Sequence, residues 1–509
     1  MKIQREALLA VVMAIVLPGH ASPAGSSCQS LQKLILESAT VTLAELVQAG
    51  GFRIAETAPA ARNESRFADL PAFCRVAATL KPSADSDIKI EVWMPASGWN
   101  GKFEAVGNGG WAGTISYPAM ARALARGYAT TSTDTGHSTA GGSFALGHPE
   151  KVIDYAYRSE HEMTVKAKAI INAFYGNAPA RSYFNGCSTG GRQALTEASR
   201  FPDDFDGIVA GAAANPKTRL DTWRIWMALE TLKDPATRIP HEKYPAIHHA
   251  VLAACDAIDG LKDGLIDDPT RCHFDPEILA CRESDEPGCL TAKQVRSVKT
   301  ILGPARSPRT GADIFPGYQP GTELQWGRLI GGPEPYDTAL DQFKYMVFND
   351  PHWDWRTFDV DRDLAKAEEA LRGTLTALDP NISAFVGHGG KLLTYHGWSD
   401  QDIAPLASVN FYKSAAKAIG DAKAASSLRL FMVPGMGHCG GGEGPNTLDM
   451  MVPLEQWVEK GQAPTRVIAS HSTNGTVDRT RPLCPYPQVA RYAGSGSTDE
   501  AQNFTCRLP

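Results

Sequence analysis

An α/β fold built on a parallel sheet and interrupted by one large insert is the architecture this sequence predicts. Three observations carry it. Strand patterns alternate with helix patterns up to about residue 216 and again after 371. Between 217 and 371 strands are hard to find, and tryptophans, prolines, charged turns and four cysteines crowd in. Gly186, Ser188 and Gly190 fall between a strand pattern and a helix pattern. The 509 residues suit about three domains of roughly 150 residues, or one large domain with an insertion. The chain is 43% hydrophobic and 21% charged, which excludes collagen, coiled coil and wholesale disorder. A net charge of −6 argues against nucleic acid as a partner.

In chain order, Lys2 and Arg5 precede an apolar run from Ala7 to Leu17, followed by Pro18, Gly19 and Ala21. This predicts a cleaved signal peptide over 1–21. Eleven apolar residues are few for a bilayer span, which takes about 20, although a short anchor is the alternative. No second run reaches spanning length, so the mature chain is expected to be soluble and secreted, extracellular or periplasmic, with no membrane partner. Asp87 to Met94 alternates and predicts a half-buried strand. Lys102 to Val106 and Tyr128 to Ser132 are further strands, the first ending in Gly107-Asn108-Gly109-Gly110. Ser159-Glu160-His161-Glu162 predicts a capping box ahead of a helix bearing Met163, Ile170, Ile171 and Phe174. Then come the strand Ser182 to Phe184, the helix Gln193 to Arg200 and the strand Ile208 to Ala210. Beyond the insert, Lys391 to Tyr395 and Leu428 to Val433 are strands flanking the helix Ala407 to Ile419. The domain reading is core 22–216, insert 217–371, core 372–509.

The ten cysteines contain no CxxC, so zinc ribbons and thioredoxin-like motifs are unsupported. Cys255 with Cys272, Cys281 with Cys289, and Cys484 with Cys506 are spaced like short disulfide-closed loops, which need an oxidising compartment.

Gly186-Cys187-Ser188-Thr189-Gly190 fits G-x-S-x-G in its strand–helix context, a sharp turn that exposes the hydroxyl. A serine hydroxyl needs a base held by a carboxylate, and on this architecture the order is Ser, acid, His. Asp400 follows the strand Lys391 to Tyr395, and His438 follows the strand Leu428 to Val433. Both stand at carboxyl ends of strands, where open α/β sheets place their sites. Asp402 competes with Asp400, which lies nearer the strand end, and His396 reads as a structural turn residue. Cys187 precedes Ser188 and Cys439 follows His438, so a disulfide between them would tether nucleophile to base. The lone His161-Glu162 lacks the second histidine of a zinc peptidase. Asp134 and His137 precede the serine and read as structural.

The set Gly186 to Gly191, Asp400 and His438-Cys439 resembles the tannase/feruloyl esterase family, whose fold is an α/β-hydrolase core with an inserted lid. The resemblance runs from about Cys28 to Cys506. It includes Asn108-Gly109-Gly110, Thr133 to His137, Arg158 to Thr164 and Pro482 to Pro487. It implies a Ser188–His438–Asp400 triad and the Cys187–Cys439 bridge. The other pairings expected are 255–272, 281–289 and 484–506, leaving Cys28 with Cys74. It also implies an oxyanion hole from the N–H groups of Thr189 and Gly110, or Gly109 if the loop register differs by one.

The acidic run from Cys255 to Leu265 reads by composition as a solvated turn. The resemblance implies instead a structural Ca²⁺ loop in the lid, ligated by Asp256, Asp259 and Asp263 side chains and the carbonyls of Leu261 and Leu265. Carboxylates and carbonyls are the oxygen donors such a hard cation takes.

The implied activity is serine carboxylesterase, with feruloyl and related hydroxycinnamoyl esters as substrate. Gallate esters or a terephthalate monoester are the alternatives. The partner is a small aromatic ester, free or polysaccharide-linked. In the insert, Trp326, Tyr345, Phe348, Trp353, Trp355 and Phe358 should mostly form its own core, with one or two left to line a cleft. Arg328 and Arg356 are candidates, by position alone, for binding a substrate carboxylate. A calcium-stabilised binding module and a serine peptidase are the readings from other classes.

Overall fold

The computed structural model describes residues 26–54, 67–376 and 378–509. The expected signal peptide therefore lies outside the described residues. Nine strands form the central sheet: β1 Ala39–Val47, β2 Phe73–Leu80, β3 Ile88–Pro95, β4 Lys102–Val106, β5 Ala129–Thr133, β6 Arg181–Cys187, β7 Gly207–Gly211, β8 Lys391–Gly397 and β9 Leu428–Val433. Their spatial order is β1-β2-β3-β5-β4-β6-β7-β8-β9. From β5 through β9 every neighbouring pair is parallel. The pairs β1–β2, β2–β3 and β3–β5 are antiparallel. The expected parallel sheet is present from β5 to β9, and β1, β2 and β3 extend it antiparallel. The link from Leu80 to Ile88 is too short for a helical crossover, so β2 and β3 can pair only antiparallel.

The strand expected to be half-buried is covered on both faces. Every residue of β3 but Lys89 is buried. Trp93 on its second face packs against Phe52, Phe73 and Tyr117. Glu91 on the same face accepts bonds from Arg75 at 2.6 and 2.9 Å and from the Trp93 indole at 2.8 Å. That face is closed by helix α1, Tyr117–Ala125.

The capping box at Ser159 is also corrected. Helix α2, Ser159–Tyr175, continues helical turns that begin at Pro149. Arg158 and Ser159 are both already helical, so Ser159 lacks the extended backbone that a capping residue needs. Its hydroxyl donates to Glu160 at 2.7 Å instead. Helix α3, Thr189–Arg200, follows β6 directly. Helices α6, Leu406–Ile419, and α7, Met451–Lys460, come after the segment joining β7 to β8, which contains α4, Lys217–Thr231, and α5, Tyr244–Cys255. That segment carries one strand pair of its own, Ala305–Arg306 with Asp313–Phe315. Its core gathers Trp223, Tyr244, Trp326 and Phe343, and runs on into Trp111 from the loop after β4 and Tyr155 from the helical turns before α2. Burial of large apolar surface thus joins the segment to the sheet's carboxyl edge.

Register sets the stage for the site. Cys187 on β6 pairs with Gly211 on β7, Gly211 with Tyr395 on β8, and Gly397 with Val433 on β9. The chain leaves β6, β8 and β9 at one edge, and Ser188, Asp400 and His438 follow at those exits.

Candidate active site

Ser188 sits at φ 64°, ψ −121°, a left-handed region that costs an L residue about 1–3 kcal/mol. Its surroundings hold it there. Its N–H donates to the Gly211 carbonyl at 3.0 Å, and its carbonyl accepts from Arg192 and Ala214 at 3.0 and 3.1 Å. A Cβ at Gly186 would lie 2.4 Å from the Gly190 oxygen, and one at Gly191 2.2 Å from the Gly211 oxygen. The glycines are therefore fixed by the close approach of α3 to β6 and β7, which presents the hydroxyl above the sheet edge.

The Ser188 hydroxyl donates to His438 Nε2 at 2.8 Å. On the far side of the ring, His438 Nδ1 donates to Asp400 Oδ2 at 2.7 Å. Asp400 is fully buried and takes further N–H bonds from Asp402 and Ile403 at 2.7 and 2.9 Å. Burial alone would raise its carboxyl. The His438 charge and the His396 and His438 bonds outweigh that and hold it well below the usual carboxylate range. Burial opposes a charged imidazole at His438, but Asp400 prevails and the net shift is upward.

His396 was expected to be a structural turn residue. It lies on β8, fully buried, and its Nε2 contacts Asp400 Oδ2 at 3.0 Å while Ser408 donates to its Nδ1 at 2.7 Å. Asp402, the competitor, stands 3.8 Å from His438 Nε2 and is ion-paired to Arg328 at 2.6 Å. Gln401 between the two acids accepts the His438 backbone N–H at 3.0 Å.

Neither the Gly110 N–H nor the Thr189 N–H has a hydrogen-bond partner among the described residues. The Thr189 hydroxyl donates to the Gly110 carbonyl at 2.7 Å, which ties Gly110 to the residue after the nucleophile. Tyr155 donates to the same carbonyl at 3.0 Å. Asn108 fixes the loop: its N–H donates to Gln193 Oε1 at 3.0 Å, its amide donates to the Thr133 carbonyl at 2.9 Å, and Gln193 donates back to Asn108 Oδ1 at 3.0 Å. Glu160 in turn accepts from Gln193. Sequence reasoning missed Tyr155, Glu160 and Gln193 in this role. Only the segment Arg158 to Thr164 pointed near one of them.

All ten cysteines pair as expected: 28–74, 187–439, 255–272, 281–289 and 484–506. Asp134 accepts two backbone N–H bonds, and His137 stacks on Phe144. Both are structural, as read.

The acidic loop is partly committed elsewhere. Asp256 accepts from the Asp263 and Gly264 N–H groups, and Asp259 from Leu261. Asp263 bonds Arg481. Among the described residues no group of three or more His, Cys, Asp or Glu side chains is gathered as a metal site. Other features suit a cation. The carbonyls of Leu261 and Leu265 accept no hydrogen bond among the described residues, whereas those of Asp259 and Asp263 take Arg491 and Arg479. Asp267, which the sequence reading passed over, is buried with both oxygens unpartnered. Burial first, then the charges of Asp259 and Asp263, push it up to about 7 against the pull of Arg481.

In the insert, Trp326, Trp355 and Phe358 are buried, while Tyr345, Phe348 and Trp353 are half-buried against the same core. Arg356 pairs with Glu334 and Asp354 and lies over Trp355, so it is spent on the insert surface. Arg328 reaches the site through Asp402 and donates to the Tyr336 hydroxyl at 3.0 Å.

Comparison with known proteins agrees with this geometry. The family model for tannase and feruloyl esterase matches residues 74–507. An uncharacterized esterase of Xanthomonas campestris pv. campestris is 37% identical over 98% of this chain and 93% of its own. A probable feruloyl esterase B-1 of Aspergillus fumigatus is 36% identical over 85% of each chain. The crystal structure of feruloyl esterase B from Aspergillus oryzae superposes with a TM-score of 0.89 at 33% identity, covering 94% of this chain and 99% of that one. A serine poised on a histidine at the edge of an α/β sheet therefore stands in a chain that belongs to the tannase and feruloyl esterase family of carboxylic ester hydrolases.

Proposed function

We propose that this chain hydrolyses esters of hydroxylated aromatic acids, hydroxycinnamic acids first, through an acyl-enzyme on Ser188. The observation that carries the reading is the unbroken chain from the Ser188 hydroxyl through His438 to Asp400, at 2.8 and 2.7 Å. Ser188 Oγ attacks the ester carbonyl as His438 Nε2 takes its proton. The tetrahedral oxyanion is met by the Thr189 and Gly110 N–H groups, donors worth about 3–4 kcal/mol each when fixed in advance. Collapse expels the alcohol, which receives the proton from His438. Water then attacks the acyl-enzyme by the same route in reverse, releasing the acid and restoring Ser188. Asp400 stays ionised throughout and orients the imidazole. The segment 217–371 acts as the lid. Arg224 and Tyr318 donate to the carbonyls of Asp402 and Gln401, and Arg328 pairs with Asp402, so lid residues brace the acid loop.

Export is part of the reading. Five disulfides suit an oxidising compartment, and among the described residues no helix is long and apolar enough to cross a membrane. A structural calcium in the loop from Asp256 to Leu265 is proposed with it, supported by the unengaged Leu261 and Leu265 carbonyls and the crowded carboxylates of Asp259, Asp263 and Asp267. When bound, such an ion supplies charge compensation in the lid.

The test is a hydrolysis panel of methyl ferulate, methyl gallate, a terephthalate monoester, a long-chain aliphatic ester and a peptide anilide. Preference for methyl ferulate is expected. Faster turnover of the aliphatic ester or the anilide overturns the aromatic-ester reading, and a preference for gallate keeps the mechanism with a different acyl group. Arg328 gives the terephthalate reading its one specific support, although its guanidinium is already paired to Asp402.

A further inference from the structure

The acyl-transfer steps give His396 no task, yet its ring is spent on the acid that orients His438. The residue is fully buried on β8, where it pairs with Met432 of β9, and so it touches no substrate. Its Nε2 lies 3.0 Å from Asp400 Oδ2 and 3.2 Å from the Ile403 carbonyl oxygen. Both neighbours only accept, so this nitrogen carries the proton; a bare lone pair there would face two others. Nδ1 is then the bare nitrogen, and the Ser408 hydroxyl, from the first turn of α6, donates to it at 2.7 Å. The bond at one ring nitrogen sets which of the two is protonated, so Ser408 fixes the tautomer and the plane of the ring.

A carboxylate offers roughly four acceptor positions on its two oxygens. In Asp400, Oδ1 takes the N–H groups of Asp402 and Ile403, while Oδ2 takes His438 Nδ1 and His396 Nε2. With one position of Oδ2 held by His396, the other faces His438, and the carboxylate is not free to turn away from it. We infer that His396 is a positioning residue of the ester-cleaving machinery, whose Nε2–H sets both the direction and the strength of the Asp400 acceptor that His438 uses. The inference rests on the acyl-enzyme reading of Ser188. Packing alone would require only a side chain of this volume, whereas this role requires a donor. Because Asp400 shares its charge between two imidazoles, the donor also moderates its pull on the His438 proton. Burial works to raise the Asp400 carboxyl, and the His438 charge and then the His396 bond hold it below the ordinary range. The other titratable groups facing the pair are Asp402 on the same loop, with Arg224, Tyr318 and Arg328 from the insert.

The experiment compares the full natural chain with His396→Leu, which removes the donor, and His396→Gln, whose side-chain amide restores an N–H at similar reach. Those facing groups are common to all three chains. The pH profile is read on p-nitrophenyl acetate, whose hydrolysis does not depend on the acyl group the lid prefers. His396→Leu should lower kcat about 10- to 100-fold, the worth of one hydrogen bond to a charged group, with KM unchanged. Its acid limb of kcat/KM should move to higher pH, because an Asp400 relieved of one donor holds the His438 proton more tightly. His396→Gln should recover most of both. Nitrogen NMR of the histidine-labelled natural chain reads the tautomer without turnover. The ring signal that His396→Gln lacks should show its proton on Nε2 and a bare Nδ1, and this decides alone should melting show that His396→Leu does not fold. A natural chain inactive on every ester sinks the acyl-enzyme reading and this inference with it. A His396→Leu profile matching the natural one, a His396→Gln chain as impaired as His396→Leu, or a proton on Nδ1 overturns the inference and leaves that reading standing.

Discussion

The same covalent device does different work in two regions of this molecule. At the sheet edge, Cys187–Cys439 joins positions 252 apart and ties the exit of β6 to the exit of β9, one residue from Ser188 and one from His438. In the insert, Cys255–Cys272 and Cys281–Cys289 close loops of 17 and 8 positions. Loop entropy alone gives upper figures of about 5.5 kcal/mol for the first against about 3.1 and about 2.5 kcal/mol for the others. The sheet edge also has a dense network of short hydrogen bonds about Asp400, while the insert is held by aromatic packing and local staples. The difference teaches that geometry is guarded where atoms react, and that bulk stability is supplied beside it.

The largest expected effect tests the sheet-edge half. Ser188→Ala should lower kcat by about 10⁶-fold with an unchanged melting temperature. Asp400→Asn should cost about 10⁴-fold, because the imidazole loses its orienting acceptor. Asp402→Asn should cost less than about tenfold, since Asp402 contacts His438 only at 3.8 Å. A crippled Asp402→Asn beside a healthy Asp400→Asn would show the acid to be misassigned. The acid limb of kcat/KM should lie above the ordinary imidazole value, because Asp400 holds the His438 proton.

The disulfide comparison can be broken directly. Replacing Cys187 and Cys439 with serine should lower both the melting temperature and kcat, since it frees the nucleophile's neighbour from the base's. Replacing Cys281 and Cys289 should lower the melting temperature alone, and by less. Equal losses of activity from the two pairs would erase the distinction.

How much was legible follows the same divide. Ser188 and His438 were readable because each lies in a short local pattern at a strand exit. Asp400 was chosen over Asp402 only by its nearness to the strand, and in the structure four N–H donors converge on its carboxylate. His396 was read as a turn residue because the apolar pattern ends the strand at Tyr395, whereas β8 runs on to Gly397. Glu160 and Gln193 were invisible in their roles, since Gln193 meets Asn108 across 85 positions and Glu160 meets Gln193 across 33. The edge strand β1 escaped because its burial does not alternate and its pairing is bulged between Val41 and Leu43. The box at Ser159 misled because the same residues serve equally well inside a helix that has already begun.

In the insert, removal of metal is the sharper probe. Chelation should lower the melting temperature, with a loss of about 2.7 kcal/mol if calcium had been at a hundredfold excess over its dissociation constant. Turnover per folded molecule at low temperature should not change. An unchanged melt with no calcium in elemental analysis removes the proposed ion and leaves the loop to its arginines.

The smallest effect concerns a bridge between the two regions. His248 on α5 contacts Glu323 of the insert at 2.9 Å and Glu443 at 3.1 Å, the latter five residues past His438. Burial works against its charge, but the two carboxylates prevail and raise it from 6.5 to about 9. Because the folded value is the higher, the native state binds the proton more tightly than the unfolded chain. The stabilisation is complete below 6.5 and is lost as pH rises through about 9. Glu443 is largely exposed, so the contribution is discounted to about 1–2 kcal/mol. Melting curves of the natural chain and of His248→Gln across this window isolate it, since every other titrating group is common to both. The gap should be widest below 6.5 and close as pH passes about 9. A gap that stays constant, or that widens with pH, would mean that the insert and the His438 loop are joined by packing alone.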